Sequence, residues 1–362
     1  MPKSRIFEKL IFFAIVLLKR LVGEVFLFRI VDRIGIVFNS RIQGRSYFTH
    51  HERPRLAGDV FYDEVLAIKD IGIVIQGPID GIQEMVLETV AIYRKSVPGC
   101  KIVLSTWRNE VGKFRINFEN LNVHILENDK PSISGGNNIN FQIVSTINGL
   151  RKLGELGVKY AFKTRTDQRF YAPNTVPYFM ILLKRYPLLK PGLQKERIIE
   201  LSLNVLRYRP YSMCDMFQFG LLADLILFWN QDLDSRSFSA AQYSKEPYTL
   251  RKISEDDIAE IYIHRKFLRG IGVSSEVDYE SYYTALKEHF IIVDKEMVDL
   301  VWLKYSSQEY RIAYNPIFDK DRKYARFSQK DWEILQEYGI SIFQMKDEWL
   351  NIREHSNDIL VI

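Results

Sequence analysis

The sequence has little cysteine, little net charge and none of the commonest nucleotide-binding or hydrolase motifs. Its 2 cysteines, Cys100 and Cys214, lie far apart, so no disulfide framework or zinc site is predicted, and a reducing, cytoplasmic setting fits best. The net charge of +5 suits an anionic ligand or an anionic membrane but is too small to indicate nucleic-acid binding. No Walker A, G-x-G-x-x-G, G-x-S-x-G or H-E-x-x-H pattern occurs, which removes the usual signatures of P-loop enzymes, dinucleotide binders, serine hydrolases and zinc proteases.

The N-terminal segment also lacks a long uninterrupted apolar run. Its continuous run extends only from Leu10 to Leu18, short of the about 20 residues that cross a bilayer as a helix. No small-residue cleavage site follows, which disfavours a signal peptide. On a helix five of the charged side chains fall within roughly one third of the circumference at about 100° per residue. Such a helix is expected to lie in a membrane interface, with its cations near lipid head groups; the alternative is a core helix of the domain. These charged residues are Arg5, Glu8, Lys9, Lys19 and Arg20.

Composition and pattern predict one composite α/β domain. The 362 residues are 47% apolar and 26% charged, as in ordinary folded proteins, and no linker or repeat divides them. From residue 70 onward, apolar runs and helical patterns follow in the order strand, helix, strand, strand, helix, strand, which is typical of an open α/β sheet. We therefore predict a membrane-associating segment at 1–38, a connecting segment at 39–69 and the folded domain at 70–362. The last sixty or so residues read as irregular.

The stretch KTRTDQRFYAPN, residues 163–174, directly follows a predicted buried strand and places three cations and one acid within seven residues. In open α/β sheets, ligands bind beyond the carboxyl ends of the strands. Gln76 and Thr106 also stand at such ends. This convergence is the main evidence in the sequence for a binding site.

The residue types in this stretch suit a diphosphate. The carboxylate of Asp167 can hold Mg²⁺ or Mn²⁺, and phosphate oxygens then complete the coordination shell of the metal. Arg165 and Arg169 can add bidentate contacts to phosphate. The alternative is a solvated turn with no ligand. The histidines are scattered along the sequence, and a metal site built from them is not expected.

Several stretches, taken together, resemble the WavE lipopolysaccharide-synthesis family over about residues 70–302. They are DIGIVIQGPI, KIVLSTW, the polar helix start at 138–142, KTRTDQRFY, DMFQFG and AEIYIHRKFL. The resemblance implies a glycosyltransferase of surface-polysaccharide synthesis with a GT-A-like open mixed sheet flanked by helices. In that layout the first strand holds the base of the nucleotide, and an Asp-x-Asp-like element holds metal and diphosphate. Here the element reads Thr164-Arg165-Thr166-Asp167 and lacks its first acid, which puts metal dependence in doubt.

The same resemblance implies roles for residues at the strand ends. Gln76, Gly77 and Pro78 would border the nucleotide, and Thr106 would lie on the next strand end.

Three further polar residues are implied near the substrate. Asn140 and Gln142 would present amides at a helix start, where backbone N–H groups also favour phosphate; the alternative for Asn140 is helix capping. Asp215 would face the donor sugar or the acceptor, and its alternative is a turn acid.

An inverting transfer also needs a base that deprotonates the acceptor hydroxyl. Glu260 is the preferred candidate because it falls in the AEIY stretch that resembles the family, and Asp215 is the second candidate. Ser254 is predicted to begin this helix with Asp257 in a capping-box variant. Asp256 and Asp257 are expected to favour the helix N-terminus by their charge.

The sequence thus predicts a peripheral, cytoplasmic-side glycosyltransferase at the inner face of the membrane. Its donor would be a nucleotide-diphosphate sugar. Its acceptor would be a glycan or glycolipid of lipopolysaccharide or capsule, and Mg²⁺ or Mn²⁺ is a candidate cofactor. Two alternatives remain: a phosphosugar transferase that uses the same diphosphate site, and a non-catalytic glycan-binding or assembly protein.

Overall fold

The structure is a computed structural model that describes residues 13–21, 30, 53–190, 192–237, 248–302, 325–351 and 353–354. The chain divides into two compact units, Met1–Arg55 and Leu56–Ile362. In the first unit, residues 13–21 are helical and include exposed apolar side chains such as Phe13 and Leu21. Apart from those residues and residue 30, the predicted membrane-associating segment lies outside the described residues. Among the described parts of the chain, no helix is long and apolar enough to cross a bilayer.

The second unit alternates strands and helices. The strands are β1 (Ile71–Gln76), β2 (Lys101–Trp107), β3 (Val123–Asn128), β4 (Tyr160–Arg165), β5 (Gln168–Phe170), β6 (Ile198–Leu201), β7 (Gln218–Leu221), β8 (Tyr248–Thr249), β9 (Phe290–Val293), β10 (Leu300–Trp302) and β11 (Arg353–Glu354). The α-helices are α1 (Gln83–Ser96), α2 (Arg115–Asn120), α3 (Ile139–Glu155), α4 (Thr175–Arg185), α5 (Leu222–Trp229), α6 (Leu250–Glu255), α7 (Ala259–Gly270), α8 (Tyr279–His289) and α9 (Gln329–Tyr338). Short 3-10 helices lie at Ala57–Asp59, Gly112–Phe114, Gly136–Asn138, Lys295–Val298, Ile340–Phe343 and Asp347–Asn351.

A seven-stranded sheet in the order β3-β2-β1-β4-β7-β6-β9 forms the centre of this unit. Strands β1 to β4 are mutually parallel, β7 runs antiparallel to both β4 and β6, and β6 is parallel to β9. The predicted open mixed sheet flanked by helices is therefore confirmed. Two small antiparallel pairs, β5 with β10 and β8 with β11, accompany it. The carboxyl ends of β1, β2 and β4 lie side by side at one edge.

Apolar side chains on both faces of the sheet explain why its central strands form. Every residue of β1 is buried, as expected for a parallel strand covered by helices on both faces. Rings of Phe162 on β4, Phe170 on β5, Phe179 on α4 and Phe219 on β7 pack against one another with centroids 4.6–5.9 Å apart. Because rings from four elements meet here, this cluster fixes the position of β4 and hence of its carboxyl end.

Helix α3 approaches the sheet closely at Gly149. A Cβ built there would lie 2.5 Å from Cγ1 of Val74 and 3.2 Å from Cβ of Ser105. We expect Gly149→Ala to lower the free energy of unfolding by about 1–3 kcal/mol, because overpacking forces the helix and the sheet apart. Gly154, on the same helix, is the matched control. Its Cβ would lie 3.8 Å from Leu222, so Gly154→Ala should instead gain up to about 0.5–1 kcal/mol of helix propensity.

Urea unfolding of the two variants beside the parent chain measures both effects. A Gly149→Ala protein as stable as its parent would contradict the close approach of α3 to β1 and β2.

The region after β8 corrects one prediction. The sequence predicts a helix begun by Ser254, but Ser254 is buried inside α6, and α7 begins only at Ala259. Between the two helices, Asp257 adopts a φ of 48°, a left-handed conformation that interrupts the chain's helical path. Its carboxylate binds Nη1 of Arg265 at 2.5 Å rather than closing a capping box.

The C-terminal region is also more regular than predicted. Helix α9 begins with a capping box in which Ser328 and Asp331 satisfy each other's backbone N–H groups.

Candidate functional site

The carboxyl ends of β1 and β4 bring two of the predicted stretches together. Gln76 pairs in register with Arg165, and the backbone N–H of Thr166 donates to the carbonyl of Gln76 at 3.0 Å. The hydroxyl of Thr166 donates to the carbonyl of Pro78 at 2.8 Å. Gly77 has a φ of 128°, and a Cβ there would lie 2.8 Å from the Thr166 hydroxyl. Glycine is therefore required at the point where the two loops touch.

Arg165 and Asp167 form a bidentate ion pair at the end of β4. Nε and Nη2 of Arg165 lie 2.9 and 3.0 Å from the two carboxylate oxygens of Asp167. Both side chains are mostly buried, 19% and 17% exposed, and the guanidinium lies 5.8 Å from the ring centroid of Trp302. The pair is thus pre-oriented between the carboxyl edge of the sheet and an aromatic face.

Lys163 links this strand end to Asp215. It is fully buried, its ammonium donates to the backbone carbonyl of Asp215, and the ammonium lies 4.6 Å from the ring centroid of Trp229. Burial lowers the pKa of Lys163 to about 8, and the charge of Asp215 partly opposes this. A cation held at this place stabilises negative charge at the neighbouring strand ends.

Asp215 and Glu260 are brought together although 45 positions separate them in the sequence. Asp215 is 5% exposed in the segment before β7, and Glu260 is 6% exposed in the first turn of α7. Burial, and next the charge of Asp215, raise the pKa of Glu260 to about 7 from its ordinary value of 4.5, while Arg209 and His264 oppose the rise. Among the described residues, Oε1 of Glu260 has no hydrogen-bond partner. This carboxyl group is therefore free to exchange a proton near neutral pH.

A fully buried polar network supports this corner of the site. Trp229 Nε1 donates to Gln218 Oε1 at 2.6 Å, and Gln218 Nε2 donates to Oε1 of Glu200 at 2.7 Å. The same Glu200 oxygen lies 2.9 Å from Nε2 of His264, whose Nδ1 lies 2.5 Å from the carbonyl of Glu260. The sequence interpretation missed Glu200 and His264. A signal was present, because a glutamate inside the apolar run IIELSL and a histidine four residues after Glu260 are both costly to bury alone.

Thr106 and Gln142 also lie in the part of the site formed by β2 and α3. The Thr106 hydroxyl is buried and donates to Oε2 of Glu110 at 2.9 Å, and that oxygen also accepts from the N–H of Ile79. Gln142 lies in the first turn of α3 with a buried Oε1 that has no hydrogen-bond partner among the described residues. Gln142 can therefore accept a hydrogen bond from a ligand, whereas Thr106 shapes the loop after β1.

Asn140 and Arg169 are held mainly by structural contacts. The Asn140 amide exchanges hydrogen bonds of 2.7 and 2.8 Å with the backbone of Asp234, which ties the start of α3 to the segment after α5. Arg169 is 2% exposed and donates to the hydroxyl of Thr89 at 3.0 Å and the carbonyl of Met85 at 3.0 Å. These contacts give each side chain a structural function.

The described residues do not form a metal cage. No group of three or more His, Cys, Asp or Glu side chains among them is arranged to hold a metal ion. Both oxygens of Asp167, the one acid predicted as a ligand, accept hydrogen bonds from Arg165.

Residues 71–337 match the model of the family described as WavE lipopolysaccharide synthesis. A comparison with curated proteins gave no match. Among solved structures, a mannose-1-phosphate geranyltransferase from Thermus thermophilus matches at 12% identity and a TM-score of 0.24, over 40% of this chain and 44% of that chain. A nucleoside-diphosphate-sugar pyrophosphorylase from Vibrio cholerae matches at 11% identity and a TM-score of 0.33, over 64% of this chain and 95% of that chain. The chain thus spans less than half the length of the Thermus protein.

Proposed function

This chain belongs to the WavE lipopolysaccharide synthesis family, and we propose that it is a glycosyltransferase with a GT-A-like fold. It transfers a sugar from a nucleotide-diphosphate sugar to a lipopolysaccharide or capsular polysaccharide acceptor. The observation that carries the proposal is the pairing of two unlike groups at one edge of the sheet. Asp215 connects the two: its carbonyl accepts a hydrogen bond from Lys163 of the cationic strand β4, and its charge acts on the buried carboxyl group of Glu260, whose pKa is raised to about 7.

The cationic strand end suits the donor. Arg165 presents a planar guanidinium, which binds phosphate oxygens in pairs, and Asp167 fixes its orientation. Gln76, Gly77 and Pro78 border the nucleotide from the end of β1. Positive charge placed here stabilises the diphosphate as it leaves, which is where negative charge develops in the transition state.

Glu260 suits the acceptor. As the acceptor oxygen forms its bond to the anomeric carbon, the hydroxyl proton passes to the carboxylate of Glu260. The bond from the anomeric carbon to the diphosphate oxygen breaks at the same time, and nucleoside diphosphate is released. A base with a pKa near the working pH is the most effective for such a transfer. Asp215 keeps Glu260 a good proton acceptor through its negative charge.

We propose that any divalent cation in the reaction is carried by the nucleotide-diphosphate substrate. Mg²⁺ or Mn²⁺ commonly accompanies a nucleotide diphosphate and keeps most of its shell from water and phosphate. Asp167 would touch such a complex only by exchanging its contact with Arg165.

A panel of nucleotide sugars tests the proposal. The donor should raise the melting temperature of the protein, with and without Mn²⁺, and acceptor glycan should then trigger release of nucleoside diphosphate. Release of nucleoside monophosphate would instead identify a phosphosugar transferase. Stabilisation by glycan alone, with no nucleotide released, would identify a non-catalytic glycan-binding protein.

We further propose that the segment 1–38 holds the protein at the inner face of an anionic membrane. The supporting observation is the helix at residues 13–21, on which apolar side chains from Phe13 to Leu21 are exposed. Single amphipathic anchors bind reversibly. We therefore expect high salt or alkaline carbonate to release much of the protein from vesicles that contain anionic lipid. Release by detergent alone would contradict interfacial binding.

A further inference from the structure

The buried pair of His264 and Glu200 lies directly behind the proposed catalytic base. Both ring nitrogens of His264 face hydrogen-bond acceptors: the carbonyl of Glu260 at 2.5 Å from Nδ1, and the carboxylate of Glu200 at 2.9 Å from Nε2. Neither acceptor can donate while Glu200 is ionised, so both nitrogens must carry a hydrogen. With Glu200 ionised, the geometry therefore favours His264 as an imidazolium.

The charge of this imidazolium is balanced locally. Burial alone would lower the pKa of His264, but the charge of Glu200 and the two hydrogen bonds raise it above its ordinary value. Glu200 is in turn fixed by Gln218, which donates to the same oxygen at 2.7 Å. Removing one partner of a buried ion pair leaves the charge of the other uncompensated. Loss of the charge on Glu200 should therefore also neutralise His264.

We propose that His264 is a positioning residue for Glu260: held as an imidazolium by Glu200, it anchors the first turn of α7 and places one positive charge behind the Glu260 carboxylate. This inference rests on the proposed function only in treating Glu260 as the base. The hydrogen bond from Nδ1 fixes the backbone of Glu260, and the charge of the ring favours the ionised carboxylate. Both effects hold Glu260 in place and in its ionised form, as a base must be before it takes up a proton.

Three charged groups face Glu260, and they act in opposite directions. Asp215, from the segment before β7, disfavours ionisation, whereas Arg209 and His264 favour it. His264 itself faces Glu200 on β6 and Asp215. Neutralising His264 removes one of the two favourable charges, and we therefore expect Glu260 to become a weaker acid.

Glu200→Gln removes the charges of this pair but keeps its packing, because glutamine has the size of glutamate and can still hydrogen-bond to both Gln218 and His264. Without the carboxylate, burial makes His264 neutral at pH 7. The titration midpoint of Glu260 should then rise because the positive charge of His264 is lost. The rise should be less than the about one pH unit expected for a single nearby charge, since the negative charge of Glu200 is lost with it. The measurement is ¹³C NMR of carboxyl-labelled glutamate in the substrate-free protein, with the Glu260 signal assigned by its absence in Glu260→Gln.

The parent protein gives a second test that needs no substitution at Glu200. In ¹⁵N-histidine spectra at pH 7, both nitrogens of His264 should show imidazolium shifts, with the signals assigned through His264→Gln. His264→Gln should also raise the Glu260 midpoint. Tyr262→Phe is the control on the same helix: it removes a 3.0 Å hydrogen bond to the carbonyl of Asp232 but no charge, so the midpoint should not move.

A neutral imidazole in the parent protein would overturn the proposal. So would a Glu260 midpoint that stays unchanged in Glu200→Gln or that moves equally in Tyr262→Phe. None of these measurements uses a nucleotide sugar. If the donor panel fails while the NMR results hold, the charge arrangement stands and the assigned reaction is wrong.

Discussion

Replacing Glu260 with glutamine is expected to slow sugar transfer by about 10²–10⁴ while leaving donor affinity nearly unchanged, since general-base catalysis contributes about that much. Glutamine keeps the shape of the side chain but cannot take the acceptor proton. The diphosphate is held at the other side of the site, around Arg165, so donor binding has no reason to fall. Transfer by the parent protein should decline as the pH drops below about 7, where Glu260 becomes protonated, and the variant should lose this dependence.

Calorimetric titration of the donor beside a transfer assay gives both quantities from one preparation. Glu255→Gln is the matched control, because it removes the same charge from an exposed position five residues earlier. If donor affinity falls by the same factor as the rate of transfer, Glu260 is a residue of the donor pocket and not the base. Unchanged transfer would make Asp215 the base to test.

Glu260→Gln, which is expected to slow transfer, is also expected to raise the stability of the fold. The folded-state pKa of Glu260 is raised, so the stability it contributes is fully present below its ordinary value of 4.5 and is lost as the pH rises through about 7. Glutamine stays neutral at every pH. At pH 8, Glu260→Gln should therefore be more stable than the parent, by about 1–3 kcal/mol. An inactive but more stable variant would separate a catalytic role from a folding defect.

The sheet could be predicted from the sequence because its central strands are short, largely apolar runs closed by turns. The run IGIVIQ, short, apolar and closed by Gly77-Pro78, is typical of a strand buried on both faces of a sheet, which is how β1 folds. The break between α6 and α7 at Asp257 could not be predicted from the sequence, because the spacing of Ser254 and Asp257 also suits a capping box at the start of a single helix. The competing contact to Arg265 comes from the next helix turns and is not visible in local spacing.

The site could be predicted only in part for a related reason. A polar residue at a strand or helix end has the same sequence signature whether it binds a ligand or another part of the chain. Asn140 and Gln142 stand two residues apart on α3, yet the amide of Asn140 is engaged by Asp234 while Oε1 of Gln142 is left without a partner in the described structure. Which partner each residue finds depends on segments far away in sequence.

Asp167→Asn is expected to lower the rate of transfer by about 10²–10³, the usual cost of losing one electrostatic contact to the transition state. The asparagine amide cannot accept both hydrogen bonds of Arg165 and presents an N–H group to the guanidinium. Arg165 then loses the orientation that directs it at the diphosphate. The fold should persist, because the pair lies at a strand end and packs little of the core.

Asp129→Asn provides the control for this substitution. Arg108 and Asp129 form the same kind of bidentate pair, at 2.7 and 2.9 Å, but their side chains are 62% and 77% exposed. Exposed pairs contribute little, so transfer should not change when this pair is broken.

Chelation distinguishes the two functions open to Asp167. If it orients Arg165, Arg165→Lys should reproduce the loss, because lysine cannot make the paired contacts of a guanidinium, and with a donor that binds without a metal the parent enzyme should keep its activity in EDTA. If Asp167 holds a metal–diphosphate unit, EDTA should abolish activity in the parent and Mn²⁺ should restore it, while Arg165→Lys costs less. Near-normal turnover in Asp167→Asn would contradict both functions and leave Arg165 and Asp167 as a structural ion pair at the end of β4, because a carboxylate whose charge can be removed without cost is neither orienting a cation for catalysis nor holding one.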